Sequence, residues 1–462
     1  MKSSDQFWKT KADAESGVNA LYFGGVPYLH NTDVGGGWTP KATMWGGIVS
    51  GLYVDKRKDR TFTTASEGCN FNIESFDDIA MKYWHEFYKG ISRANFVIAN
   101  IPTMTGVLDE ATINNYVAQG KFFRAYGYFW LVKEFGGVPY ISEPYTSTEG
   151  MYKERLSAEE VYKKIEADLL DIVNGDALPN KTFYDNGCYV TRAMAQTLLA
   201  QVYLQWAGAP LNGGTDYYGK AAQMALKVIN DSPHELIHPN GTTDDLSSAY
   251  NVIKTTKSSA EIIYAKEYNY SDYSVGNSYA CRSIGTDAFQ WGVFHPGGDV
   301  LYNAYLPCDM LLNSYASNDI RGHEKQFFFK KYTDAAGKTY TLNNAGNWAW
   351  FDENALISGH DGDYNMPVFR FAEVLLIAAE GLARTNHEDN AVGGAKYYLN
   401  QVRKRAGLAD ETATGNDLIQ SILTERLHEL PLEFKIWDDI RRTRLYPEAS
   451  TESGKLKWTA LA

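Results

Sequence analysis

The chain is expected to fold as a mostly α protein. Stacked helix pairs form a scaffold, and an irregular, loop-rich subdomain with a little β is carried on it. Three observations lead there. Three long segments place apolar residues four and three apart, the spacing of one helix face. Each is followed, after a loop, by a second helical segment. Residues 22–53 and 231–366 break that pattern with Gly, Asn and aromatic residues.

Taken in order, VAQGKFFRAYGYFWLVKEFGG repeats Ala118, Phe122, Ala125, Phe129 and Val132 along one face. Its partner, SAEEVYKKIEADLLDIVNG, opens on a capping box of Ser157 and Glu160 and stops at Gly175. RAMAQTLLAQVYLQWAG repeats Ala195, Leu199, Val202 and Trp206, and YYGKAAQMALKVIND follows it. RFAEVLLIAAEGLAR repeats Phe371, Leu375, Ala378 and Leu382. Its partner AVGGAKYYLNQVRKRAG ends on Arg403, Lys404 and Arg405, where cations favour the helix dipole, with Gly407 beyond. Ala118-Gln119 leads to Tyr126 and Phe129 at the offsets by which Ala195-Gln196 leads to Tyr203 and Trp206. Small residues with one large ring per pair suit close helix approach. This resembles tetratricopeptide packing, whose repeat is about 34 residues, with long insertions here. SSAEIIYAKEY reads as one short strand. One unit is therefore expected, with scaffold at 1–230 and 367–462 and the loop-rich subdomain at 231–366.

Composition narrows the function classes. A net charge of −12 argues against nucleic acid or an anionic membrane surface, either of which needs a basic face. Cys69, Cys188, Cys281 and Cys308 lie far apart without a C-x-x-C, so neither a disulfide framework nor a zinc knuckle is expected. With 32 Tyr and 11 Trp, the chain has more amphipathic rings than a core needs, as at recognition surfaces. No apolar run is long enough to span a bilayer. The opening MKSSDQFWKT carries no apolar signal region, which leaves a cytoplasmic protein or one whose export signal is not in this sequence.

The most charged segment is LTERLHELPLEFKIWDDIRRT, residues 423–443. Read as one helix, Leu423, Leu427, Leu430 and Phe434 form its buried stripe and Glu425, Glu429 and Glu433 lie along another face. Paired carboxylates are the tools of glycosidases, which set them about 5 to 10 Å apart. Arg426, Arg441 and Arg442 beside them favour architecture instead, through bidentate ion pairs. HELPLEF lacks the second His of a zincin, and no phosphate loop or G-x-S-x-G is present. Asp361 and Asp363 form a lone D-x-D, which reads as a solvated turn rather than a calcium site. No metal, cofactor or catalytic residue is expected.

MPVFRFAEVLLIAAEGLAR, AKYYLNQVRKRAGL and LIQSILTERLHELPLEFKIWDDIRRT together resemble the closing signature of the SusD-like (RagB/SusD) family of Bacteroidetes. FWKTKADAESGVNALY, FFRAYGYFWLVKEFGGVPY and LPCDMLLNSYASNDIRG extend the resemblance over most of the chain. It implies a non-catalytic protein of the outer membrane surface that binds glycans, or in some members peptides. It also implies a SusC-like TonB-dependent transporter as partner, and four tetratricopeptide-like helix pairs. Family members carry a lipid anchor on an N-terminal cysteine and a further C-terminal segment. This chain has no cysteine before Cys69 and ends soon after RRT, at KLKWTALA.

A sugar ring offers an apolar face and a hydroxyl rim, which flat aromatics and polar side chains answer. Trp130, Trp206 and Trp437 lie in amphipathic patterns and are expected in the core. Loop-borne rings are the candidates for ligand contact, by region: Trp38, Trp45, Tyr273, Tyr279, Trp291 and Trp350, with Trp348 beside them. A helical glycoside hydrolase and a peptide- or protein-binding helical array are the competing readings.

Overall fold

The computed structural model describes residues 7–27, 47–54, 78–145, 147, 150–295 and 305–461. Fourteen α-helices are used below: α1 (Lys11–Asn19), α2 (Asp78–Asn100), α3 (Glu110–Phe135), α4 (Ala158–Asn174), α5 (Arg192–Ala207), α6 (Gly214–Asp231), α7 (Ala249–Thr255), α8 (Tyr270–Tyr273), α9 (Asp309–Asn313), α10 (Glu353–Ser358), α11 (Phe371–Ala383), α12 (Ala395–Arg405), α13 (Gly415–Glu429) and α14 (Ile436–Thr443). The strands are β1 (Tyr53–Val54), β2 (Ile262–Lys266), β3 (Leu306–Pro307), β4 (Phe328–Thr333), β5 (Thr339–Asn347), β6 (Met366–Arg370), β7 (Leu445–Ala449) and β8 (Leu456–Ala460). They make antiparallel pairs β1–β3, β2–β6, β4–β5 and β7–β8. The fold is mostly α and tetratricopeptide-like, as expected.

The helix starts are chemically specified. Ser157 and Glu160 close the expected capping box on α4, and Asp109 accepts from Thr112 N at 2.7 Å to cap α3. Helices α2 and α3 pack together, as do α5 with α6 and α11 with α12. The residues predicted for the α3 face, Ala118 through Val132, are all buried. Helix α11 is buried on every side, because it packs against α6, α12, α13 and α5 at once. Gly381 is what lets α11 reach α6. A Cβ there would lie 2.5 Å from the Tyr218 carbonyl oxygen and 2.8 Å from the Ala222 side chain. Backbone cannot yield as a flexible side chain does. Gly381→Ala is therefore expected to cost about 1–3 kcal/mol by overpacking; a urea melt as stable as wild type would contradict this close approach.

The 423–443 segment differs from expectation. It is two helices, α13 and α14, separated by a turn over 430–435. Pro431 lacks the N–H a helix needs and disfavours helical geometry in the residue before it. Phe434 takes φ 61° to complete the reversal. Leu423, Leu427, Leu430 and Phe434 are buried as read, but so are Glu425 and Glu429, which were assigned to another face.

A second, smaller core lies beside the main one. Ile284, Ala288, Phe294, Phe329, Tyr332, Leu342, Trp348, Phe351 and Leu356 pack into it. It supports the loops from which the candidate rings emerge.

Candidate functional site

The hairpin β4–β5 sets Tyr332 opposite Tyr340. A 3-10 turn over Thr286–Trp291 runs against it, held where Asn343 N donates to Asp287 Oδ2 at 2.8 Å. The turn ends at Gly292 with φ 72°, a left-handed geometry that glycine adopts without a Cβ penalty. Trp291 is thereby laid flat on Tyr340, with centroids 4.8 Å apart and planes 17° apart, and parallel to Tyr332 at 6.2 Å. The Lys338 ammonium lies 4.5 Å from the Tyr340 ring centre. Trp291 is half-buried, so the stack fixes its orientation and leaves part of it accessible.

A second display lies at α8. Tyr273 is 76% exposed. The loop beneath it is tightly held. Asp363 accepts from the backbone N–H of Tyr270 at 2.6 Å and of Ser271 at 3.2 Å, and from the Ser271 hydroxyl at 2.5 Å. Burial acts to raise the Asp363 pKa, but these bonds outweigh it and hold the carboxyl below its usual range. That occupancy removes Asp363 from the D-x-D as a free ligand. Among the described residues no group of three His, Cys, Asp or Glu could hold a metal ion. Tyr270 stacks on His360 at 4.4 Å, and Asn277 and Gly362 exchange backbone bonds of 2.7 and 3.0 Å. The ring at 273 is thus presented to solvent from a backbone that hydrogen bonds hold in place.

Two predicted rings are in the interior instead. Tyr279 is 0% exposed and packs 4.8 Å from Trp350 and 5.8 Å from Phe434. Asn277 caps the turn at 278–282 through Tyr279 N and so rolls that ring inward. Trp350 is 4% exposed against Tyr279 and Tyr305. Trp348 is buried too, with its indole N–H on Asn251 Oδ1 at 2.7 Å. A ring without an accessible face cannot stack on a ligand, so these three are packing residues. Trp206 is in the core as expected; Trp130 and Trp437 are half-buried against it. Trp38 and Trp45 lie outside the described residues.

The carboxylates of the 423–443 segment form an ion lattice rather than a cleft. Arg370 Nη1 reaches Glu261 at 2.7 Å and Glu429 at 3.0 Å, and Nη2 reaches Glu433 at 2.6 Å. Arg405 bridges Glu261 and Glu429 from the other side. Arg321 holds Asp319 at 2.8 Å and Glu425. The three guanidiniums are all but fully buried. Burial pushes Glu429 up, yet Arg405, Arg370 and Arg321 outweigh it and hold its carboxyl below the usual range. Burial prevails for Glu425 and Glu433, which lie above it. A neighbouring cavity of about 60 Å³ is lined by Trp130, Lys133, Glu373, Glu433, Lys435 and Asp438. Its acids are paired as well: Glu373 with Lys435 at 3.0 Å, and Asp438 with Lys133 and Arg441. These carboxylates are tied into arginine and lysine pairs, the arrangement of an architectural lattice.

Residues 313–457 match the family model described as the SusD family, and residues 51–204 match one described as starch-binding, associating with outer membrane. Both halves of the chain thus resemble SusD-like proteins. It is 26% identical to SusD-like protein P2 of Formosa agariphila over 97% of this chain and 87% of that one. A SusD superfamily protein from Parabacteroides distasonis superposes with a TM-score of 0.81 at 25% identity, covering 97% and 91% of the two chains. Surface glycan-binding protein A from Bacteroides thetaiotaomicron, solved with laminarihexaose, has the same fold at 21% identity, with a TM-score of 0.70 over 94% and 90%.

Several ring pairs of the loop-rich region escaped the sequence reading. Tyr332 and Tyr340 are one cross-strand pair around the turn DAAGK, and alternation in FFFKKYT and TYTLNN is the signal that exposes them. Tyr270 and His360 pair across 90 residues, which no local pattern reveals.

Proposed function

We propose that this protein captures oligosaccharides at the outer face of the outer membrane and passes them to a SusC-like, TonB-dependent transporter, making and breaking no covalent bond. The observation that carries the reading is the Trp291–Tyr340 stack, with Tyr273 displayed near the top of the same loop-rich region. Rigid rings bury the C–H faces of sugars at low entropic cost, and the firm scaffold beneath keeps them in register. The laminarihexaose complex of a protein with this fold supports the ligand class, and the outer-membrane description of the matched family supports the location. Residues 231–366 serve as the ligand-bearing subdomain, and a lipid anchor on the native protein holds it at the surface.

Affinity electrophoresis in gels cast with a polysaccharide panel tests the reading. Tyr273→Ala is expected to weaken retention several-fold with no change in melting temperature, because the ring supports nothing else. Trp291→Ala is expected to weaken it further at a small thermal cost, since Tyr340 loses its stacking partner. Unchanged retention in both variants would remove these rings from the site. Release of reducing sugar from the retained polysaccharide by the purified protein would replace capture with hydrolysis. Co-purification of a large outer-membrane barrel with the native protein tests the transporter partnership.

A further inference from the structure

Lys254, in the last turn of α7, is placed unlike the buried arginines of this chain. The guanidiniums at 321, 370 and 405 each meet two or more carboxylates. The Lys254 amine meets rings. Its Nζ lies 4.1 Å from the Trp348 centroid, 5.1 Å from Tyr364 and 5.8 Å from Phe351. It donates no hydrogen bond to a described residue. Asp352, Glu353 and Lys325 act on it without pairing with it, and Arg370 and Glu433, paired with each other, line the same cavity. Asp352 accepts from Ala355 N at 3.2 Å and from Asp363 N at 3.0 Å. Glu353 accepts from the Tyr332 hydroxyl. Lys325 lies 5.3 Å from the same Trp348 ring and repels it. The residue also lines a cavity of about 50 Å³, together with Tyr250, Asn277, Trp350 and Asn365. It is partly exposed, so a small solute can reach it.

We propose that Lys254 is a reactive amine that condenses reversibly with short aldehydes entering this cavity. The nitrogen lone pair attacks the carbonyl carbon to give a carbinolamine. Loss of its hydroxyl as water, with the two amine protons leaving overall on that water and oxygen, forms the C=N bond. One amine and one aldehyde thus yield one imine and one water, and hydrolysis reverses the step without any co-reactant. Tyr250, Phe327 and Trp350 in the cavity wall shield the imine from bulk water, and the cavity suits a chain of two or three carbons rather than a closed sugar ring.

Protonation state supports the geometry. Burial, only partly offset by Asp352 and Glu353, lowers the Lys254 pKa to about 7. About half the amine is then free base at neutral pH, against less than a thousandth for an ordinary lysine near 10.4. Narrow access takes back part of that advantage.

The experiment uses the full chain with glycolaldehyde as probe and cyanoborohydride to trap imines, followed by peptide mapping at limiting reagent. Lys254 is expected to be labelled on the order of tenfold faster than the median lysine at pH 7, with the α-amino group as internal reference. The lead should vanish at pH 10, where roughly a quarter of every ordinary lysine is already free base, and in urea, where the cage is gone. Lys254→Arg should lose that adduct alone while keeping the wild-type melting curve. Labelling at Lys254 no faster than the median at pH 7, or a lead that survives in urea, would overturn the proposal.

Discussion

Replacing Arg370 with methionine is expected to cost about 3–5 kcal/mol of stability, among the largest single losses available to this chain. Methionine fills much of the volume of arginine, so the loss isolates the charge. Without the guanidinium, Glu433 loses its 2.6 Å contact, Glu261 keeps Arg405, and Glu429 keeps Arg405 and a longer 3.3 Å contact to Arg321. Three carboxylates then share a dry interior with too few cations. Urea denaturation of Arg370→Met measures the loss. Adding Glu433→Gln to it should restore part of the stability, giving a coupling energy of opposite sign to simple additivity. A variant as stable as wild type would mean that the lattice contributes nothing net.

The second large effect is acid sensitivity through His428. Its ring is buried, stacked 4.3 Å from Tyr315, with Nε2 on Ser314 Oγ at 2.8 Å. Burial and the nearby Arg321 cation lower its pKa to about 3. The sign follows from the folded value lying below the unfolded one near 6.5. Above pH 6.5 both states hold the ring neutral and the contribution is complete. As pH falls, the unfolded chain takes up the proton first, and stability drains away until the folded ring also protonates near pH 3. The loss over that window is on the order of 5 kcal/mol. His428→Gln keeps a polar partner for Ser314 and removes the titration. It should flatten the stability profile between pH 6.5 and 4, and an unchanged slope there would assign the acid response to other groups.

The helical scaffold was legible because its signals are local. Four-and-three spacing, the Ser157–Glu160 box and Gly175 act within a few turns and need no distant partner. The strand 262–266 was legible for the same reason, although its partner at 366–370 lies about a hundred residues away. The ring assignments fared differently. Loop position alone marks a residue as free of helix, but not which way it faces. Tyr273 and Tyr279 stand six apart in one irregular segment and end 76% and 0% exposed. What separates them is the cap at Asn277 and the side chains of Trp350 and Phe434, contributed from far along the chain. The charged segment yielded its role, because arginines alternate with its acids, while its break at Pro431 was written in the sequence and overridden by the apolar stripe. Glu261, which anchors two of the arginines, sits just before a strand and carries no local mark of burial.

The ties between early and late residues set an order of events for biosynthesis. The Tyr446 hydroxyl donates to the Ser50 carbonyl across 396 positions, and Arg441 grips Glu134 across 307. At roughly 5–20 residues per second, helix α3 waits on the order of tens of seconds before α14 exists to meet it. Over that interval the end of α3 that carries Lys133 and Glu134 lacks its partners Asp438 and Arg441, and two buried charges stay in water until the last helix arrives.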